Sequence, residues 1–121
     1  MDQLPEATRS IENGARHFRC IAGREIVLDS EGFLWDPLQW TEVLAQVLAC
    51  ESGITLLEDT HWRVIRFIRD YYLQNGRAPL HRELKKGIGK SLLEIESLFP
   101  GGLKHGARRL AGLPNPRTCG A

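Results

Sequence analysis

The cysteines are the residues of this 121-residue chain with the most reactive side chains, and their settings differ. Cys119 lies third from the C-terminus, after Pro114 and Pro116, which exclude a helix there. A thiol in that position can hardly belong to a core, so it is either an accident of a frayed tail or a chemical group. We predict that Cys119 is the working group of the protein.

The other two cysteines offer weaker signals. Cys50 lies on the apolar face of a predicted helix, which favours packing over chemistry, and Cys20 is undecided. Three cysteines form an odd set, and no CxxC or Cys/His spacing accompanies them. The pattern therefore predicts neither a disulfide framework nor a zinc site, and no metal or organic cofactor is expected.

Cations cluster towards the C-terminus. The last nineteen residues contain four lysines and arginines and no acidic residue. Nearby cations favour the thiolate, the reactive form of cysteine, and they would attract an acidic or anionic partner. The residues predicted to tune Cys119 or to dock a partner are Lys104, Arg108, Arg109, Pro114, Pro116 and Arg117.

No residue stands at a characteristic sequence separation from Cys119 that would identify it as a general base. His105 would approach only if the chain folded back, so a hydrolytic Cys/His enzyme is poorly supported. The chemistry that needs only a reachable thiolate is thiol exchange or persulfide carriage. A carrier that other proteins load and unload need not accelerate a step itself, so its status as an enzyme stays open.

The chain divides into three predicted parts. Residues 1–16 have weak patterning and read as a flexible leader, residues 17–111 form a helical domain, and residues 112–121 form a C-terminal arm that carries Cys119. A short hairpin is predicted around the turn residues 29–32, with strands on either side over 24–35.

Apolar residues at helical spacing predict the rest of the domain. The fold class is mainly α: a small orthogonal bundle of about five helices with an N-terminal β-hairpin and a mobile C-terminal arm. The predicted helices span 37–51, 61–74, 79–86, 90–99 and 104–110.

Aromatic residues at helical spacing are expected in the core, among them Trp40, Trp62 and Tyr72. Arg66 and Arg69 are candidates for lining a groove for the returning arm, although arginines on a helix face are usually solvated.

Composition excludes some classes of protein. No charge-free stretch is long enough to span a bilayer, and the N-terminal residues lack the apolar run of a secretory signal, so a cytoplasmic protein is expected. The net charge of +1 argues against phosphate-driven binding of nucleic acid. A helix-turn-helix-like nucleic-acid module, with Arg82, Lys85, Lys86 and Lys90 as its basic face, remains the alternative from another class, and an adaptor without sulfur transfer is a third.

Four segments together resemble a known family. They are GFLWDPLQW (32–40), HWRVIRFIRDYY (61–72), LFPGGL (98–103) and AGLPNP (111–116), and Cys119 follows them. This combination is similar to the DsrC/TusE family of sulfur-relay proteins over residues 23–119. The resemblance implies a helical bundle with an N-terminal hairpin, a mobile arm and persulfide sulfur carried on Cys119.

The number of arm cysteines places the resemblance in one branch. Family members that partner dissimilatory sulfite reductase carry two, and the position eleven residues before Cys119 is Arg108 here. The single cysteine resembles TusE, which implies a donor complex of the TusBCD/DsrEFH type and a tRNA thiouridylase as acceptor in wobble-uridine 2-thiolation. The alternative is a DsrC-like paralogue that serves sulfur oxidation, sulfite reduction with dissimilatory sulfite reductase, or their regulation.

Overall fold

The computed structural model describes residues 16–116 of the chain. The predictions for residues 1–15, Arg117 and Cys119 therefore lie outside the described residues. The element order confirms the mainly α fold with a short N-terminal hairpin. The elements are β1 (His17–Ile21), β2 (Arg24–Leu28), a 3₁₀ turn (Pro37–Gln39), α1 (Glu42–Glu51), α2 (Asp59–Asn75), α3 (His81–Ile88), α4 (Leu92–Ser97) and a π-helix (Gly102–Arg108).

The hairpin lies earlier in the chain than its predicted position. β1 and β2 pair antiparallel with His17 opposite Leu28, and the turn between them consists of Ala22 and Gly23. Both turn residues have positive φ, 53° and 80°, as a two-residue type I′ turn requires. Arg24–Leu28 is thus a strand as predicted, but it is the second strand and not the first.

The predicted turn at residues 29–32 does form, although it closes only a bridge. Asp29 Oδ1 accepts hydrogen bonds from the amides of Glu31 (2.8 Å) and Phe33 (3.0 Å), and Leu34 then pairs with Leu28 through an isolated bridge. The residues after the turn make no third strand, because the chain leaves the sheet at once for the 3₁₀ turn.

The helix predicted from residue 37 breaks into two pieces. Asp36 caps the 3₁₀ turn by accepting from Leu38 N at 3.0 Å, as predicted, but α1 begins only after Thr41, whose hydroxyl accepts from Leu44 N at 3.0 Å. Gln39 explains the break. Its side chain accepts from Val27 N (3.0 Å) and donates to the carbonyl of Glu25 (3.2 Å), so it covers the free edge of β2.

α2 is the central helix of the bundle, as predicted. It is 17 residues long, and it packs against α3 and the π-helix. Ile65 and Ile68 on its predicted apolar stripe are 0% and 1% exposed, whereas Trp62 and Tyr72 are half-buried at the edge of the core. The largest fully buried side chains of the domain include Phe33, Leu34, Leu44, Leu48, Ile65, Ile95, Phe99 and Leu110.

His61 ties the start of α2 to the end of α4. Its Nδ1 accepts from Glu58 N at 3.1 Å, and its Nε2 lies 3.0 Å from the carbonyl of Leu98. An acceptor on one ring nitrogen and a donor on the other define the neutral imidazole with its hydrogen on Nε2. One side chain thus caps α2 and satisfies a main-chain carbonyl of another element.

Two shorter helices connect α2 to the C-terminal part of the domain. α3 continues through Gly87, which was predicted to end it, and stops at Gly89, where φ is 81°. Position 87 needs a glycine although it lies inside the helix, because the ring of Phe67 packs against it: an added Cβ would stand 2.2 Å from Phe67 Cε1. α4 begins at the capping box formed by Ser91 and Glu94.

Across residues 16–116, no helix combines the length and the apolar character needed to cross a membrane.

The Asp29 turn gives a first test of the fold. Asp29→Ala removes the acceptor of two amide hydrogen bonds, so we expect the free energy of unfolding to fall by about 1–2 kcal/mol. Asp29→Asn keeps an oxygen in the Oδ1 position and should retain most of that stability. Urea denaturation of the three proteins measures both effects, and equal losses in the two variants would contradict this account of the turn.

Candidate functional site

The last helical segment ends in a turn that sets the direction of the arm. Leu113 N donates to Arg108 O at 3.3 Å, and Gly112 N donates to Arg109 O at 3.1 Å. These two bonds, with φ of 80° at Gly112, form a Schellman motif, which reverses the chain at a helix C-terminus. The arm therefore leaves the domain along a path that the backbone defines.

Two side chains from distant parts of the chain hold the same turn. Trp40 Nε1 donates to the carbonyl of Leu110 at 2.7 Å, and Arg69 Nη1 donates to the carbonyl of Ala111 at 3.1 Å. Arg69 Nη2 also donates to Pro37 O at 3.0 Å, and its guanidinium lies 4.5 Å from the centre of the Trp40 ring. We call Trp40 and Arg69 the carbonyl clamp.

The clamp is partly buried, and burial lowers the pKa of Arg69. An arginine starts from so high a pKa that Arg69 keeps its charge, and a charged donor makes the stronger hydrogen bond to a carbonyl. The clamp therefore supplies donors to the orphan carbonyls at the end of the helix, where the chain itself has none left.

The sequence identified the clamp only in part. The sequence predicts that Arg69 can contact the arm, and it does contact the arm's origin, whereas the helical spacing of Trp40 predicts packing alone. Arg66, the other candidate, instead binds the carboxylate of Glu42, and its guanidinium lies 5.2 Å from the centre of the Trp62 ring.

The first residues of the arm pack against the domain. Leu113 is 3% exposed and Asn115 is 5% exposed, while Pro114 and Pro116 are half-buried. Leu113, Pro114 and Pro116 form one wall of an apolar cavity of about 270 Å³, which we call the arm groove. Its lining residues are Tyr72, Gly76, Arg77, Ala78, Pro79, Leu80, Arg108, Leu113, Pro114 and Pro116.

Arg108 is the predicted cation that the structure places with the two prolines. It is half-buried in the wall of the arm groove, and this burial lowers the pKa of its guanidinium. Within residues 16–116 its side chain has no hydrogen bond and no carboxylate partner. Arg108 is therefore available to a group from outside the described chain.

Lys104 and Arg109 lie elsewhere. Arg109 Nε donates to the carbonyl of His105 at 2.8 Å, its Nη2 binds the hydroxyl of Ser52, and burial lowers its pKa. Lys104 Nζ stands 3.8 Å from the Glu31 carboxylate, which also contacts the ring of His105. Lys104 therefore contacts the Asp29 turn, and Arg109 contacts the end of α1. Neither residue lines the arm groove.

The prediction that Cys50 packs in the core is wrong. Cys20 and Cys50 are both exposed free thiols. Cys50 Sγ stands 3.4 Å from the carbonyl of Thr55 and 3.4 Å from Gln46 Nε2, at the side of α1 next to its buried stripe. In the described part of the chain, no group of three His, Cys, Asp or Glu side chains is arranged to hold a metal ion.

Comparison with known proteins decides the family. The family model described as DsrC like protein matches residues 20–120, a range that includes the arm and Cys119. The chain belongs to the DsrC-like family. DsrC-like relatives include the "Sulfurtransferase TusE" of Escherichia coli (strain K12), 40% identical, with 80% of this chain and 94% of that protein covered. The "Sulfurtransferase TusE" of Salmonella choleraesuis (strain SC-B67) is 39% identical with the same coverage.

Solved structures of similar proteins share the fold. A crystal structure of dissimilatory sulfite reductase I (DsrI) has a TM-score of 0.78 and 37% identity, and covers 83% of this chain and 96% of that one. The oxidized gamma-subunit of the dissimilatory sulfite reductase (DsrC) from Archaeoglobus fulgidus has a TM-score of 0.73 and 36% identity at the same coverage. These relatives confirm the predicted class, a sulfur-relay carrier of the TusE/DsrC type.

The Schellman turn can be tested with a matched pair of glycines. Gly112→Ala forces a side chain onto a backbone with φ of 80°, and its Cβ would stand 2.4 Å from Trp40 Cδ1. Gly89→Ala has nearly the same φ, 81°, with nothing within 4 Å. We expect Gly89→Ala to cost about 1 kcal/mol of unfolding free energy and Gly112→Ala at least about 1 kcal/mol more, as overpacking does. Equal losses on urea denaturation would show that the clamp does not abut the turn.

The clamp can be tested with a matched pair of arginines on α2. Arg69→Lys replaces the planar guanidinium, which bonds to two carbonyls, with a single ammonium group that cannot hold both in the same geometry. We therefore expect the free energy of unfolding to fall by about 1–2 kcal/mol. Arg66→Lys alters an exposed pair and should cost less than about 0.5 kcal/mol. Amide hydrogen exchange should also quicken at Gly112 and Leu113 in Arg69→Lys alone. Unchanged exchange there would contradict a role for Arg69 in holding the turn.

Proposed function

We propose that this protein carries persulfide sulfur on Cys119, accepting it from one protein and passing it to another. The observation that carries the proposal is the DsrC-like match over a range that includes Cys119, in a chain whose relatives are named sulfurtransferases. The geometry is compatible with this role, because the clamp fixes the origin of the arm and Cys119 follows Pro116 by only three residues.

The proposed transfer needs no cofactor and no net oxidation. The Cys119 thiolate attacks the outer sulfur of a donor persulfide; a new S–S bond forms, the donor's own S–S bond breaks, and the donor leaves as a thiolate that takes up a proton. Cys119 is then a persulfide. An acceptor nucleophile attacks its outer sulfur in the same way and returns Cys119 to the thiolate.

The predicted docking residues have different roles under this proposal. Arg117 would favour the anionic form of the thiol and of the persulfide, since nearby cations lower the pKa of a thiol, and Arg108 would guide the docking of a partner. Pro114 and Pro116 would keep the arm out of helical conformations. Lys104 is exposed enough to contact a partner, whereas the contacts of Arg109 are better explained by anchoring the π-helix.

The proposed pathway is 2-thiolation of the tRNA wobble uridine in the cytoplasm. In it, a TusBCD/DsrEFH-type complex would donate sulfur and a tRNA thiouridylase would accept it. The TusE relatives favour this assignment, and so does Arg108, which stands where a second arm cysteine would be needed for disulfide chemistry. The likeness to DsrI and DsrC structures favours the alternative, a paralogue that works with dissimilatory sulfite reductase.

Mass spectrometry of the intact protein tests the carrier role. After incubation with a cysteine desulfurase, its relay proteins and free cysteine, we expect wild type to gain one sulfur atom that dithiothreitol removes. Cys119→Ser should gain none. Cys20→Ser and Cys50→Ser are the matched controls, because both thiols are exposed, and each variant should load like wild type.

An adduct that persists in Cys119→Ser, or no adduct in any protein, would overturn the carrier role. The adaptor alternative would then be favoured if Cys119→Ser still bound partners and supported function. The nucleic-acid alternative predicts salt-sensitive duplex binding that does not depend on Cys119, through the exposed face of α3 with Arg82, Lys85 and Lys86.

A further inference from the structure

The arm groove lies next to the start of the segment that carries Cys119. Pro116 lines the groove, and Cys119 is three residues further along the chain. A fully extended chain advances at most about 3.6 Å per residue, so the Cα of Cys119 stays within about 11 Å of Pro116. A protein whose sulfur meets Cys119 therefore brings its surface close to the mouth of the groove.

The walls of the groove suit a hydrophobic side chain. Leu113, Pro114 and Pro116 form one wall, and the loop 76–80 that joins α2 to α3 forms the other. Leu80 lines the groove and is 46% exposed, so a partner can reach its side chain. An apolar cavity of about 270 Å³ with an exposed leucine at its edge is typical of a site that receives a partner's side chain.

Two arginines line the groove, and only one of them, Arg77, has a carboxylate partner among residues 16–116. The nearby acid, Glu83, is already engaged: it binds Arg77 at 3.1 Å and accepts from Leu80 N at 2.7 Å. The hydrogen bond from Arg77 is the main cause that lowers the pKa of Glu83 to about 2. Glu83 thus neutralises Arg77, while Arg108 has no carboxylate among residues 16–116.

We propose that the arm groove is the docking site for the protein that delivers sulfur to Cys119, and that this protein inserts a hydrophobic side chain flanked by a carboxylate that pairs with Arg108. The inference rests on the proposed carrier function and adds to it the surface and the chemistry of the partner. Docking next to the origin of the arm would hold the donor persulfide within reach of Cys119.

Two ways of loading Cys119 separate docking from chemistry. A persulfide-bearing TusBCD-type complex must dock, whereas inorganic polysulfide needs no protein surface. The rate of sulfur gain on Cys119 is measured by intact mass with each donor. The test variants are Leu80→Glu and Arg108→Glu; the controls are Leu93→Glu, whose leucine is 77% exposed on α4, and Lys85→Glu on the exposed face of α3.

We expect each test variant to load at least tenfold more slowly from the protein donor and within twofold of wild type from polysulfide. Both controls should load like wild type from both donors, and Arg108→Lys, which keeps the charge, should recover most of the rate lost in Arg108→Glu. Thermal melting followed by circular dichroism confirms that each variant is folded.

Protein loading at the wild-type rate in Leu80→Glu and Arg108→Glu would overturn the docking site while leaving the carrier role intact. Faster loading of Leu80→Glu from both donors would also overturn it, since the groove would then hold this chain's own residues 117–121. A change in sedimentation mass in Leu80→Glu would assign the groove to a second copy of the chain. Failure of wild-type Cys119 to load from polysulfide would instead refute the carrier role itself.

Discussion

The main-chain carbonyls at the end of the last helical segment are the constraint on which the site depends. A helix leaves its final carbonyls without internal donors, and a buried helix end needs them satisfied. Here the donors come from Trp40 and Arg69, which bond to the carbonyls of Leu110 and Ala111. Because Arg69 also binds Pro37 O, a single guanidinium joins α2, the 3₁₀ turn and the origin of the arm.

Local signals in the sequence were sufficient for the helical body, whereas the candidate thiol, Cys119, lies outside the described residues and stays a prediction. Apolar spacing located α2 almost to its ends, and turn residues located the reversals at Gly89 and Gly112 to within a few positions. The clamp could not be located in this way. Its acceptors are main-chain carbonyls 70 and 42 residues from their donors, and a carbonyl oxygen is the same in every residue. The one local signal for the clamp is Arg69, a charged residue that follows the buried Ile68 on α2.

The error in the predicted position of the hairpin has a similar cause. Two turns competed in the sequence, and the one at Asp29 carried the conventional residues, whereas the true hairpin turn places a positive φ on Ala22, which alanine rarely adopts. The sequence therefore predicts a partner for β2 on its C-terminal side, whereas the partner is β1 on its N-terminal side. Cys50 shows the same limit for helices, because one step of 100° separates the buried stripe of α1 from its exposed flank, and spacing alone does not resolve that step.

A short tether with a fixed origin has a kinetic consequence. If a partner docks beside Pro116 as proposed, the thiol of Cys119, only three residues away, would be confined to a small volume, and short linkers produce effective concentrations on the order of millimolar. Handover then becomes an intramolecular event, so the contact between the two proteins does not have to be tight. Weak contact would suit a carrier that must release one partner before it can meet the next, because a weaker complex generally dissociates faster.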